Sequence, residues 1–284
     1  MSFVGGRDTG GQVATALADL GKPHILEQEG LNCWGVWEFS DWQTFSTQVR
    51  KTFDYAKQRC TAYPRFIVQR SLFDRFLGAY LPAVSSVRFG HPLAVADPDE
   101  DLPELDFGPL INQGKAKDLS AQVAEAVAAG AVPLYRGTLD TARLLPDQNT
   151  DAYMAPVALL EPPRSSPLHH AEPFGPVDSI VLVDTEAELL AAMNASNGAL
   201  VSTVSCDDPD TAQRLAAGVR AFKVGINRPR SRGDRDELFG GWGDSWRGAF
   251  VGGRLLVHAV TRGPEDERLP GNFPGYTLRP DDHA

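Results

Sequence analysis

The sequence predicts an α/β fold with a mostly parallel sheet. Helix-type and strand-type patterns alternate along most of the chain, as expected when strands are joined by crossover helices. The continuous apolar run Ile180–Val183 within Ser179–Val183 is typical of a strand that is buried on both faces. The chain has 284 residues and is 42% hydrophobic, which is enough apolar material for a sizeable core.

The elements of the first half follow from apolar spacing. Val13, Leu17 and Leu20 lie on one face of a helix over Gly10–Leu20. A strand is predicted at His24–Leu26, a second helix from about Asp41, and a strand at Phe66–Gln69. Ser71, with Asp74 three residues later, is the expected N-cap of the helix that follows.

The second half continues the alternation. Thr185 and Glu188 form the pattern of a capping box, and the helix they begin is expected to end at Asn197-Gly198. The remaining predicted elements are a helix at Lys115–Ala129, strands at Leu200–Ser205 and Phe222–Ile226, a helix that begins at Asp208-Pro209, and an arm or loose tail over Arg262–Ala284.

Composition and charge exclude several classes of function. The formal net charge is −10, from 27 basic and 37 acidic residues, so general binding to nucleic acid or to an acidic membrane is not expected. The sequence has neither the pattern of a signal peptide nor an apolar run of about 20 residues that would span a membrane. Three scattered cysteines do not form a disulfide framework. A soluble, reduced, cytoplasmic protein is expected.

Four local features could carry chemistry, although each also has an ordinary structural explanation. The Gly-rich turn Gly5–Gly10 precedes a helix and could approach a phosphate. Cys60 lies beside Arg59, and a neighbouring cation lowers the pKa of a thiol. Glu27 follows an apolar strand, where a partly desolvated carboxylate can act as a general base. The pair His169-His170 has no evident third ligand, so no metal site is predicted.

Taken in order, these segments resemble the aldehyde dehydrogenase superfamily. Phe3–Gly10 is similar to the family pattern Phe-Thr-Gly-Ser-x-x-x-Gly, Leu26–Asn32 to Leu-Glu-Leu-Gly-Gly-Lys-Asn, and Gln58–Ala62 to Gly-Gln-x-Cys-x-Ala. The series continues through Gly108–Ile111, the region of Pro156, Glu172–Val177, Gly225–Asn227 and Phe239–Gly241, so that the resemblance extends from Phe3 to about Arg262.

The resemblance implies an aldehyde-dehydrogenase-type catalytic domain and a dehydrogenase that oxidises a small-molecule aldehyde with NAD or NADP. Cys60 would be the nucleophile and would carry a thiohemiacetal and then a thioester, and Glu27 would be the general base. Glu172 would hold the nicotinamide ribose, Phe174 would pack beside the ring, and Gly5 and Gly6 would lie near the cofactor.

The same resemblance suggests how the chain is divided. Residues 1–27 would be a remnant of the Rossmann-like cofactor domain, 28–240 the catalytic domain, and 241–284 a return segment and an arm of a homo-oligomer. The family's long N-terminal region has no counterpart before Phe3, which implies a truncated product or a second polypeptide that supplies the rest.

Local departures from the family pattern leave other functions open. Glu29 and Leu31 stand where the family has Gly and Lys, and Tyr55 and Lys57 stand where Asn and Gly are common, so an altered aldehyde channel is expected. The alternatives are a catalytically silent subunit-interaction module and a cofactor-independent thiol esterase that uses Cys60 and Glu27.

Overall fold

The strands and helices are those of a computed structural model. It describes residues 1–95, 97, 99–196, 198–231, 236–261, 263–264 and 267–279. The strands in these ranges are β1 (Ser2–Gly5), β2 (Ile25–Gln28), β3 (Cys33–Val36), β4 (Arg65–Gln69), β5 (Val132–Arg136), β6 (Val157–Leu160), β7 (Val177–Val183), β8 (Val201–Ser205), β9 (Lys223–Ile226), β10 (Trp246–Ala249), β11 (Gly271–Phe273) and β12 (Tyr276–Leu278). The α-helices are α1 (Arg7–Asp19), α2 (Trp42–Thr52), α3 (Phe73–Ser85), α4 (Gln113–Ala128), α5 (Pro167–His170), α6 (Glu186–Met193), α7 (Pro209–Gly218) and α8 (Leu255–Val260).

The larger sheet has seven strands in the order β5-β6-β7-β4-β3-β8-β9. Every neighbouring pair is parallel except β5 with β6, which confirms the predicted mostly parallel sheet. Apolar side chains cover both faces, because successive residues of a strand point to opposite sides. On β4, Phe66 belongs to the core cluster that contains Trp34, whereas Ile67 packs in the opposite cluster with Leu189.

The smaller sheet joins distant parts of the chain in the order β1-β2-β10-β11-β12. β1 and β2 are parallel, and β10 pairs antiparallel with β2, placing Trp246 opposite Glu27. β11 and β12 form a hairpin across Pro274-Gly275 and continue the sheet from β10. The predicted loose tail is therefore wrong for residues 271–278; residues 262, 265–266 and 280–284 lie outside the described residues.

Helix boundaries test the capping predictions. The Thr185–Glu188 capping box is present at the start of α6, and Asp208 caps α7 by accepting a hydrogen bond from the backbone of Thr211. Ser71 does not cap α3, because it lies inside a 3₁₀ turn and Leu72 occupies the N-cap position. α6 ends at Met193, earlier than expected, and Asn197 of the predicted end lies outside the described residues. No helix in the described ranges is both long and apolar enough to cross a bilayer.

Candidate active site

Glu27 lies on β2 of the smaller sheet, and Gly5 and Gly6 lie where the neighbouring strand β1 ends. Gly5 ends β1 and is in register with Gln28 of β2, the residue after Glu27. Gly6 is the N-cap of α1, with φ −68° and ψ 156°, and accepts the first helical hydrogen bond from Gly10 at 3.0 Å. The edge at which β1 and β2 end therefore presents Glu27 beside a helix N-terminus.

Cys60 lies between α2 and β4, on a segment that reaches the end of β2. Its thiol is partly buried and lies close enough to the carboxylate of Glu27, which is itself only 7% exposed, for that negative charge to act on it. The charge of Glu172 also acts on this thiol. The structure thus brings together Cys60, Glu27 and Glu172, three of the residues singled out from the sequence.

The environment of Cys60 favours the neutral thiol. Burial raises the pKa of Cys60 far above its usual range, and the carboxylates of Glu27 and Glu172 raise it further. The expected pKa lowering by Arg59 is wrong. That guanidinium donates to the carbonyl oxygen of Lys51 at 3.4 Å and lies over the Tyr55 ring, 5.7 Å from its centroid. The resting thiol is therefore neutral.

Asn32 braces the Cys60 segment, a role that the sequence analysis missed. Its amide nitrogen donates to the carbonyl oxygens of Cys60 at 2.8 Å and Ala62 at 2.7 Å. Its amide oxygen accepts from the backbone N–H groups of Leu200 and Val201, each at 3.1 Å. This fully buried side chain connects the Cys60 segment to β8. The sequence signal for this role was the position of Asn32 in the Leu26–Asn32 motif, five residues after Glu27.

The chain adopts left-handed backbone conformations just before Cys60. Tyr55, Ala56 and Lys57 have φ values of 59°, 54° and 56°. Left-handed geometry costs a residue with a Cβ roughly 1 kcal/mol or more, so tertiary contacts must hold it. Lys57 does not alter a channel surface as expected from the sequence, because its ammonium is fully buried and lies 2.6 Å from the Asp178 carboxylate.

Glu172 is a buried carboxyl group with one oxygen unpartnered. Its Oε2 accepts a hydrogen bond from the backbone N–H of Gly30 at 3.3 Å, whereas its Oε1 has no partner among the described residues. Burial raises the pKa of Glu172 well above its ordinary value, and the positive charges of Lys115 and Arg7 only partly oppose this. Such a group is suited to hydrogen-bond a polar ligand.

Two features shape the segment that carries Glu172. Arg65, the first residue of β4, donates from Nη1 to the carbonyl oxygen of His169 at 2.5 Å, and so connects β4 to the end of α5. Phe174 is half-buried and has a φ of 50°. Its left-handed backbone conformation redirects the chain between Glu172 and β7.

Replacement of Glu172 by glutamine is expected to change how stability depends on pH. An acid whose folded-state pKa is raised stabilises the fold below its unfolded pKa, and that contribution is lost as pH rises through the folded pKa. Glu172→Gln should therefore raise the free energy of unfolding by on the order of 1 kcal/mol at about pH 8, with little effect below about pH 4. Thermal unfolding of both proteins across pH measures this. An equal effect at both pH values would contradict the raised pKa.

The fold and this site together define a class of protein. An α/β fold presents a thiol, a contacting carboxylate and a second buried carboxyl group with a free oxygen, which are the parts needed for covalent catalysis on an electrophilic carbon. The sequence pattern described as "Aldehyde dehydrogenase family" matches residues 1–262. The chain belongs to the aldehyde dehydrogenase family.

Individual relatives agree with this assignment. The chain is 30% identical over 242 residues to an NADP⁺ succinate-semialdehyde dehydrogenase from Deinococcus radiodurans, covering 85% of this chain and 47% of the relative. Among solved structures, it is similar to NADP-dependent glyceraldehyde-3-phosphate dehydrogenase from Bacillus halodurans complexed with NADP, with a TM-score of 0.77, 26% identity and coverage of 92% and 50%. A betaine aldehyde dehydrogenase from Staphylococcus aureus in complex with NAD⁺ gives a TM-score of 0.78 at 25% identity, with coverage of 91% and 49%. The chain therefore spans about half the length of these relatives.

Proposed function

We propose that this chain oxidises a small-molecule aldehyde to a carboxylic acid with NAD⁺ or NADP⁺, using Cys60 as nucleophile and Glu27 as general base. The observation that carries the proposal is that the Cys60 thiol lies close enough to the carboxylates of Glu27 and Glu172 for both to act on it. The family membership and the dehydrogenase relatives support the reaction class.

In the first half of the reaction, the sulfur of Cys60 attacks the aldehyde carbonyl carbon and forms a C–S bond, while the thiol proton passes to the carbonyl oxygen, which becomes the hydroxyl of a thiohemiacetal. The raised pKa of Cys60 means that the resting thiol is neutral, so its proton is transferred during the attack. The hydroxyl proton is released when the hydride leaves. Bound NAD⁺ or NADP⁺ supplies the acceptor for the hydride that leaves the former aldehyde carbon, and Cys60 is left as a thioester.

In the second half, Glu27 acts on water. Glu27 accepts a proton from water as the water oxygen attacks the thioester carbon. The C–S bond breaks, the carboxylic acid leaves, and Cys60 recovers the proton that Glu27 held. The position of the Glu27 carboxylate beside the Cys60 sulfur supports this role.

The residues around Glu172 fit the nicotinamide end of such a cofactor. The free Oε1 of Glu172 can accept a hydrogen bond from a ribose hydroxyl, and its Oε2 is already held by Gly30. Gly5 and Gly6 place the N-terminus of α1 next to β2, where an anionic group is stabilised. Phe174 is the proposed ring contact. Similar solved structures hold NAD⁺ or NADP, which supports the cofactor class.

The remaining parts of the proposal concern organisation. We propose that residues 1–27 belong to the cofactor-binding part, 28–240 to the catalytic part, and 241–284 to a return segment and oligomerisation arm. The pairing of β10 with β2 supports a return of the chain toward the cofactor side. A cytoplasmic homo-oligomer is the proposed state.

One alternative has a specific observation in its favour. Cys60 and Glu27 lie close together within this chain, and no dinucleotide is needed to bring them together. A thiol esterase would use the same attack and hydrolysis on an activated ester. Ester hydrolysis that persists without NAD⁺ or NADP⁺, together with no aldehyde-dependent reduction of either, would favour it.

Glu27→Gln tests the proposed function. We expect a burst of NADH or NADPH formation followed by a steady-state rate at least about tenfold lower, because the thioester accumulates when water is not activated. Stopped-flow absorbance with a panel of aldehydes measures both phases. The matched control is Glu29→Gln, two residues away and partly exposed, which should stay within about twofold of the unmodified chain.

Two results would contradict the proposal. An unchanged steady-state rate in Glu27→Gln would exclude Glu27 as the base. Absence of aldehyde-dependent turnover in the unmodified chain with both NAD⁺ and NADP⁺ would favour the esterase, if an activated ester is hydrolysed, or the catalytically silent interaction module, if it is not.

A further inference from the structure

A single buried ammonium joins the two ends of the segment that carries Cys60. Lys57 lies three residues before Cys60, and Tyr63 lies three residues after it. Nζ of Lys57 donates to the carbonyl oxygen of Tyr63 at 2.8 Å. The nucleophile is therefore the midpoint of a closed seven-residue segment.

Further contacts in the core fix the position of the Lys57 ammonium. A second hydrogen bond goes to Oδ1 of Asp178 at 2.6 Å, and both side chains of this pair are fully buried. Oδ2 of Asp178 accepts a hydrogen bond from the hydroxyl of Tyr80 at 2.7 Å. The Phe53 ring faces Nζ with its centroid at 4.2 Å. Asp178 is on β7 and Tyr80 on α3, so two core elements fix the position of Nζ.

The charge of Lys57 does not account for the arrangement. Burial, Glu27 and Glu172 raise the pKa of the Cys60 thiol and a backbone hydrogen bond lowers it, and Lys57 is not among these causes. The side chain points into the core, where Asp178 and Arg59 are the charged groups that act on it, and Tyr80 donates to Asp178. Lys57 acts on Cys60 through the backbone. Its side chain closes the segment that carries Cys60, and its own backbone is left-handed.

We propose that Lys57 is a positioning residue, which closes the Cys60 segment through Tyr63 and thereby holds the thiol against Glu27. The inference rests on the proposed role of Cys60. Its test measures thiol chemistry alone, so it can fail while aldehyde oxidation stands, or succeed if turnover is absent.

The test is a double-mutant cycle read by alkylation of the full chain with iodoacetamide and peptide mapping. In the unmodified background, Glu27→Gln removes a neighbouring negative charge, so Cys60 should react about tenfold faster at a fixed pH, and its apparent pKa should fall by about one unit. In the background Lys57→Met with Asp178→Asn, which removes both charges of this buried pair, the thiol should no longer be held against Glu27. There, Glu27→Gln should change the rate by less than about twofold.

Controls separate positioning from general loosening. Cys33 and Cys206 are buried and should stay unlabelled in every background, whereas a merely structural role of Lys57 would expose all three thiols together. The pair Arg70→Met with Asp184→Asn removes an exposed ion pair at the other end of β4 and β7 and should retain the tenfold effect of Glu27→Gln.

A tenfold effect of Glu27→Gln that persists in the Lys57→Met, Asp178→Asn background would overturn the proposal. If that background labels all three thiols, Tyr80→Phe decides, because it keeps the ion pair and removes only one hydrogen bond to Asp178. We then expect the Glu27 effect on Cys60 to fall to about threefold or less with Cys33 and Cys206 still protected. A full tenfold effect in Tyr80→Phe would contradict the inference.

Discussion

Replacement of Cys60 by alanine is expected to lower aldehyde-dependent formation of NADH or NADPH by at least about 10³-fold. Without the sulfur, no covalent adduct forms, and no thioester is available for water to attack. The loss should appear in kcat, with the burst absent, since the missing step precedes hydride transfer. Single-turnover and steady-state absorbance measurements check both points.

The matched control for this variant is Cys206→Ala. Cys206 is buried in the core cluster on the other face of the sheet, far from the Glu27 contact in the fold, so its removal should leave turnover within about twofold. Retention of more than about a tenth of the activity in Cys60→Ala would contradict the role of Cys60 as nucleophile.

Replacement of Lys57 by methionine is expected to destabilise the protein by about 3–5 kcal/mol, because it leaves the buried Asp178 carboxylate without its cation. Burial already raises the pKa of Asp178, and the loss of Lys57 should raise it further. A raised folded-state pKa stabilises the fold at low pH, so the deficit should shrink as pH falls toward about 4. Denaturant unfolding at several pH values measures both effects.

Two further variants make this prediction specific. Adding Asp178→Asn to Lys57→Met removes the unpaired charge and should recover most of the lost stability. Arg214→Met breaks an exposed ion pair with Glu186 and should leave the stability nearly unchanged, because solvent screens that pair. A Lys57→Met deficit as small as that of Arg214→Met would show that the buried pair contributes little.

Local chemistry explains which elements the sequence could predict. The strand around Ile180 is a long apolar run buried on both faces, and Thr185 and Asp208 cap helices with side chains that reach only a few residues. β3 lacks such a signal, because Cys33-Trp34-Gly35-Val36 is short and contains glycine. The hairpin of β11 and β12 lies in a segment rich in Pro and Gly, although the dipeptide Pro274-Gly275 is a turn signal.

The candidate site was predictable where a resemblance named the residue. Cys60, Glu27 and Glu172 were all proposed from their motifs, and the structure brings them together. The expectation that Arg59 lowers the pKa of Cys60 was wrong because the side chains of adjacent residues need not point in the same direction, and Arg59 instead donates to the carbonyl oxygen of Lys51. The contact of Lys57 with Asp178 joins residues 121 positions apart, and no local pattern carries that information.

The pairing of Trp246 with Glu27 has a consequence for folding during synthesis. The segment around Cys60 can pack against β3, β4 and α2 early, and β2 can pair with β1, whereas β2 gains its second partner β10 only when nearly the whole described chain has been synthesised. Contacts of such high sequence separation form slowly, so the Cys60 segment is in place before the strand that carries Glu27 is held on both edges. A nascent or C-terminally nicked chain would therefore carry a Cys60 that is less restrained by Glu27 and more open to adventitious oxidation, and the late pairing of β10 would protect the thiol as well as complete the sheet.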